Sequence, residues 1–248
     1  QRTDLNRAPG TASTGDDGRP IFGVLEQYGS LLVPKVGSNR RFADFDMAYS
    51  LAATGYTDYS EASVVLEHRM SRGFDLLVGY TYSKTSDNLP GSLTGNPADQ
   101  LSPFPNGLGG ARWEDGRSDL DIPNRVAATL TYASAAKQPL TVAARFRYRS
   151  GLPFTPGFRN GVDANGDGSG SNDPVFVSST TPGLAALISA NSCLGSQAGQ
   201  FAARNSCRDN GVAALDLQAS LPIAHGWAVT VDGFNLVGTT TGLFDHAA

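Results

Sequence analysis

Lysine, charge and sulfur are scarce in this sequence, and each scarcity removes a class of protein. Only Lys35, Lys84 and Lys137 occur among 248 residues, against 29 glycines. Helices are usually filled with Ala, Leu, Glu and Lys, so this balance favours strands. Charged residues make up 17% and the formal net charge is -4. Phosphate binding needs clustered cationic surface, so nucleic acid is not an expected partner. No apolar run is long enough to span a bilayer as a helix. The opening "QRTDLNRAPGTASTGDDGRP" has no apolar h-region, so a signal peptide is absent or already removed. The lack of such runs excludes helical membrane proteins only. The three histidines, His68, His225 and His246, are scattered, and no HExxH, GxSxG or Walker pattern occurs. No enzyme is expected. With 40% hydrophobic residues the chain can still bury or membrane-embed a folded structure.

What is present is a period-two pattern. From Phe74, alternate residues read Phe74, Leu76, Val78, Tyr80, Tyr82 on one face and Asp75, Leu77, Gly79, Thr81, Ser83 on the other. This describes a strand with one apolar and one mostly polar face. The pattern recurs over Arg125–Tyr132, Leu140–Arg149, Leu215–Leu221 and Trp227–Asp232. Each segment approaches the roughly ten residues that a tilted membrane-crossing strand requires. The connections sort by length as well. "RMSRG", "SAAKQP" and "PIAHG" are short turns, whereas Thr85 to Asp121 and Ser150 to Gly211 are long and rich in Gly, Pro, Asn and Asp. Short periplasmic turns opposed to long extracellular loops characterise an outer-membrane barrel.

The turns fix strand direction, which places Phe74, Trp227 and Tyr132 at the inner rim and Tyr80, Tyr82, Phe146 and Tyr148 at the outer rim. All seven belong to the apolar face, as interfacial aromatic girdles require. The competing explanation is the general liking of aromatics for strands. Upstream, strands are expected around Phe45 to Ala53 and Glu61 to Arg69 with a loop at "TGYTDYS", and another within Pro20 to Val33. The organisation is then a loop-rich segment over 1–43, barrel strands over 44–236 with loops 85–121 and 150–211, and a tail over 237–248. About eight strands result, enough to close a small barrel. The fold class is all-β, an antiparallel transmembrane β-barrel or part of one.

The succession "YSEASVVLEHRMSRGFDLLVGYTYSKTSDN", "DIPNRVAATLTYA", "RYRSGLPFTPGFRNGVDANGDGSGSND" and "LDLQASLPIAHGWAVTVDGFNL" resembles the C-terminal part of the barrel of Oar-like TonB-dependent receptors. The resemblance runs from about Asp44 onward. It implies a barrel of about 22 strands, of which these would be about a third. It also implies a plug domain and the TonB system as partners, outer-membrane lipid as surroundings, and a substrate of unknown identity. After "FNLVGTTTGLFDHAA" further strands and a terminal aromatic are expected, so the native polypeptide is expected to be longer.

The "DANGDG" stretch spaces oxygens as a calcium loop does. Asp163, Asn165 and Asp167 fall at positions one, three and five, Gly168 at the sharp turn, and the carbonyl of Ser169 at seven. Pro174 replaces the bidentate carboxylate at twelve, which leaves Asp173 as its substitute. The alternative is a polar turn in which Asn, Asp and Gly tolerate tight φ/ψ angles. Cys193 and Cys207 share the second long loop and are expected to form a disulfide, worth about 3 kcal/mol for a closed loop of about 15 residues. Between them and the acidic loop, "TPGLAALIS" carries Thr181 as a cap and Pro182 at a first helical position, so a short helix is expected. Arg145, Arg147 and Arg149 share one face of one strand, and Arg125 is expected on the same interior wall. They either guide an anionic substrate or hold a plug by carboxylate pairing, or they form a solvated wall balanced by Asp75, Asp216 and Asp232.

The expected function is therefore part of an Oar-like, TonB-dependent receptor barrel in the bacterial outer membrane. The alternative is a secreted or surface-anchored all-β binding module stabilised by calcium and a disulfide.

Overall fold

The computed structural model describes the chain except residues 1, 9, 13–16, 30, 36, 52, 70, 90–113, 159–161, 170–171, 179–184, 186–187, 189–191 and 239–248. One antiparallel sheet dominates. Its strands are β1 (Thr57–Arg69), β2 (Phe74–Asp87), β3 (Gly116–Arg117), β4 (Asn124–Ala133), β5 (Thr141–Arg149), β6 (Val212–Pro222) and β7 (Ala228–Gly233). Their order is β7-β6-β5-β4-β2-β1, with the two-residue β3 pairing on β2. Successive strands are therefore neighbours, as in an up-and-down meander. The sheet is open: β1 and β7 each lack a second partner among the described residues.

Register turns the alternation of single strands into two continuous faces. Val126 lies opposite Tyr80 on one side and Tyr148 on the other, Ala128 opposite Val78 and Phe146, and Leu130 opposite Leu76 and Ala144. Leu215, Leu217 and Ala219 continue the row against Phe146, Ala144 and Val142, and Val229 and Val231 against Leu221 and Ala219. No residue of this apolar face is buried and its large side chains stand largely open, with Val64 at 68%, Val231 at 65% and Trp227 at 73% exposed. A water-soluble sheet would bury such a face; a barrel wall turns it toward lipid.

The short turns depend on backbone that few residues adopt. Arg72 and Gly73 have φ of 67° and 85°, and His225 and Gly226 have 56° and 79°. At Gly73 a Cβ would stand 2.1 Å from the carbonyl oxygen of Ala133, so only glycine lets β1 turn into β2 against the end of β4.

Buried side chains collect at the other end. The apolar cluster is Val177, Leu194, Ala202 and Cys207, with Phe154, Val175, Ile188 and Cys193 packed against it. Among the described residues only Ala143 is a buried hydrophobic within a long strand. The molecule is thus dry in its loops and exposed along its strands, the inverse of a soluble β-sandwich.

Three upstream expectations need correction. Phe45 to Ala53 is not one strand: Asn6 Nδ2 donates to the carbonyls of Phe45 and Asp46, and Asp4 Oδ1 accepts from Ala48 N, so only Tyr49–Leu51 is left to pair, with Arg2–Asp4. Pro20 to Val33 is broken at Gly23 and Gly29, whose φ of 83° and 62° turn the chain. It forms parts of two small hairpins, Pro20–Phe22 with Gly10–Ala12 and Leu25–Tyr28 with Leu31–Pro34. None of these joins the main sheet. The loop expected at "TGYTDYS" is shorter than its turn-rich composition suggests. Asn88 caps it, accepting from Tyr56 N and donating to the carbonyl of Thr54, and the ladder starts at once with Thr57 opposite Asp87. Among the described residues the main sheet thus has six longer strands and one of two residues, where about eight strands were expected.

Candidate functional site

Two polar arrangements stand out: the acidic loop around Asp163 and the arginine-bearing face of the sheet. In the acidic loop the spacing does set up the turn. Asp163 Oδ1 accepts from the backbone N–H of Gly166 at 2.6 Å and Asp167 at 3.1 Å, and Oδ2 from that of Gly168 at 2.8 Å. Asn165 Oδ1 accepts from Asp167 N and Asp167 Oδ1 from Ser169 N, each at 2.8 Å. These are successive Asx turns, the local bonding that favours Asn and Asp in tight loops. Gly168 has φ of 95°, a backbone conformation that strains any L side chain, and a Cβ there would press on the ends of Arg40 and Met47, 2.9 Å from Nη2 and Cε.

The remaining oxygens meet arginine. Arg7 Nη1 reaches Asp167 Oδ2 at 3.2 Å, where Asn172 Nδ2 also donates at 2.9 Å. Arg19 Nη1 reaches Asp173 Oδ1 at 3.1 Å, and Asp173 Oδ2 accepts from Ala164 N at 2.8 Å. Both ion pairs are buried. The guanidinium of Arg7 lies 4.5 Å from the centre of the Phe22 ring, and that of Arg19 4.8 Å from Phe201. Asn39 Nδ2 donates to the carbonyl of Gly166 at 2.6 Å, and Phe22 N to that of Asn165 at 2.7 Å. The N-terminal segment therefore clasps the acidic loop.

Burial dominates the titration of this loop. It raises the Asp173 carboxyl to about 7, reinforced by the neighbouring Asp167 charge and opposed by the Ala164 N–H and Arg19. Asp167 is also raised, first by burial, against the pull of Asn172 and Arg7. The candidate calcium ligands Asp163, Asn165, Asp167, Ser169 and Asp173 are thus gathered in one loop. Their side-chain oxygens face backbone donors and two guanidinium groups, and no set of three or more acidic, His or Cys side chains converges as a metal site among the described residues.

Sequence reasoning missed Arg7, Arg19 and Asn39. Their partners lie 160, 154 and 127 positions away, so no local spacing signals them. It also missed Arg204, which binds the carbonyls of Asp87 and Glu114 at 3.0 and 2.7 Å and Asp87 Oδ1 at 2.6 Å, tying the two long loops together. Arg208 does the same for Asp121, at 2.6 Å, and for the carbonyl of Gly151. A disulfide joins Cys193 and Cys207, with Cα atoms 5.3 Å apart. Thr181 and Pro182, the start of the expected short helix, lie outside the described residues; Ala185 and Ile188 beyond them are helical.

On the sheet, register places Arg125 directly opposite Arg149, Ala127 opposite Arg147 and Thr129 opposite Arg145. All four arginines share the polar face. Arg147 Nη2 binds Asp216 Oδ2 at 2.7 Å. Asp216 Oδ1 accepts from Asn235 N, and Asp232 accepts from Gln218. Asp75 stands opposite Thr131 and Arg69, two rows away from the Arg125–Arg149 pair's neighbours.

An exposed apolar face, aromatic pairing at the rim (Phe74 and Tyr132 centroids 4.6 Å apart) and a polar opposite face together describe a membrane barrel wall. Comparison with known families agrees: residues 1–221 match the outer membrane beta barrel domain. The chain belongs to that family, and its place is the bacterial outer membrane. No curated protein and no solved structure matches it.

Proposed function

We propose that this chain forms part of the barrel of an Oar-like, TonB-dependent receptor that moves a substrate across the outer membrane. The open sheet carries the proposal. The outer edge of β1, 13 residues long, and that of β7 present backbone N–H and C=O groups without a ladder partner among the described residues. Lipid offers no hydrogen bonds, so a wall with two free edges must be completed by further strands. A barrel wider than this sheet has room for a plug and a path, as large outer-membrane transporters do. The succession of motifs from Asp44 to Leu236 supports the same family. In this reading the short turns are periplasmic and the packed long loops form an extracellular cap.

The test uses the protein as purified from native outer membranes. A single polypeptide well above the 25.9 kDa of this chain, retained on an immobilised TonB C-terminal domain, is expected. A polypeptide of about this chain's mass that is heat-modifiable, and so already closed, and that ignores TonB would sink the receptor reading.

A further inference from the structure

We infer that Arg125, Arg145, Arg147 and Arg149 form a binding site for a small, multiply charged oxyanion, a phosphate ester or polycarboxylate, on the inner wall of the barrel. The inference rests on the receptor reading for its purpose, because it names the chemical class of what passes or docks there.

The register carries it. Directly opposed residues on one face of an antiparallel pair have Cβ atoms about 5 Å apart, and like charges so placed repel. Arg125 and Arg149 are such a pair. Arg147 and Arg145 follow on the same face at steps of about 7 Å along β5. Among the described residues one carboxylate answers the four guanidinium groups: Asp216 takes Arg147, and its other oxygen is held by Asn235 N. The side chains of Arg125, Arg145 and Arg149 have no ion pair or hydrogen bond among the described residues. A solvated wall balanced by its own acids would have placed carboxylates opposite them. That holds for Arg145 alone, which faces Asp216 as well as Thr129, and the Asp216 carboxylate turns to Arg147; Arg125 and Arg149 face Thr81, Val212 and each other.

The surroundings leave space for a ligand. Arg147 lies between Ala127 and Ala214, and Ala127 lies against Gly79. Small residues flanking long cationic ones make a shallow basin into which guanidinium forks can reach from its rim. Planar forks match the paired oxygens of phosphate and carboxylate groups, and a bound anion relieves the repulsion between Arg125 and Arg149.

The test is equilibrium binding of inorganic pyrophosphate and, separately, citrate to the full-length protein in detergent at low ionic strength. Saturable binding of at least one is expected, and the stronger of the two tells phosphate from carboxylate preference. The double variant R125Q/R149Q should weaken it by about tenfold or more, since charge-assisted hydrogen bonds are lost. R69Q, at the far end of the same face, should leave it unchanged. Heat-modifiable migration confirms that each variant still forms a barrel. No saturable binding to the wild-type protein, as when an acidic segment already fills the wall, overturns the inference, and so does undiminished binding in R125Q/R149Q. Binding needs neither TonB nor transport, so loss of the receptor reading would leave this result standing.

Discussion

Arg19 shows how much a single side chain organises at the loop end. It is 4% exposed, pairs with Asp173, donates to the carbonyl of Pro174 and lies against Phe158 and Phe201. Removing one partner of a buried ion pair leaves an uncompensated charge, at a cost of about 3 to 5 kcal/mol. R19Q is therefore expected to raise protease sensitivity between residues 162 and 178 while the strand signal in circular dichroism stays unchanged. The same variant tests the calcium spacing of the loop. With Asp173 released, Ca²⁺ at about 0.1 to 1 mM, the range of extracellular modules, should restore protection. An unaltered digestion pattern in R19Q would show that the clasp does not order the loop. Loss of order without rescue by Ca²⁺ would leave "DANGDG" as a set of Asx turns. The turns themselves were legible, because Asp163, Asn165 and Asp167 bond within five residues. The arginines were not, because a guanidinium from Arg7 or Arg19 can neutralise a carboxylate at any sequence distance.

At the scale of elements, period-two alternation located β2, β4, β5, β6 and β7, since pleating forces successive side chains to opposite faces. Strand ends were less legible. β7 starts after Trp227, whose N–H and C=O are taken within the turn by Ala224 and Ile223. The segment before Thr57 misled for a similar reason: Asp4, Asn6 and Asn88 bond to backbone groups that a ladder would otherwise use. Side-chain competition of this kind leaves no mark on hydrophobic periodicity. The two faces make an element-level prediction. Leu217 sits in mid-β6 on the apolar face, opposite Ala144. L217R should destabilise the bilayer-reconstituted protein by about 2 to 4 kcal/mol in urea unfolding, the cost of a cation near the membrane midplane. T131R, on the polar face of β4 beside Asp75, should change stability little. Greater damage from T131R than from L217R would reverse the faces.

For the molecule as a whole, the placement of burial matters more than its amount. The dry cluster around Val177, Leu194 and Ala202, the Cys193–Cys207 disulfide and the Arg204 and Arg208 ties all lie at the long-loop end, while the sheet keeps its apolar face outward. Strands held by their own ladder and loops held by their own core divide the work of a barrel wall and its cap.

The central claim is that the apolar face of this sheet meets lipid and the arginine face meets water. Nitroxide labels placed one at a time at residues 125 to 132 of the reconstituted full-length protein test it most directly, because Cys193 and Cys207 are joined in a disulfide and do not compete for label. Collision with oxygen, which partitions into lipid, should peak at Val126, Ala128, Leu130 and Tyr132. Collision with a water-soluble nickel chelate should peak at Arg125, Ala127, Thr129 and Thr131. Equal access to both quenchers along β4, or an oxygen maximum on the arginine-bearing positions, would contradict the barrel-wall assignment.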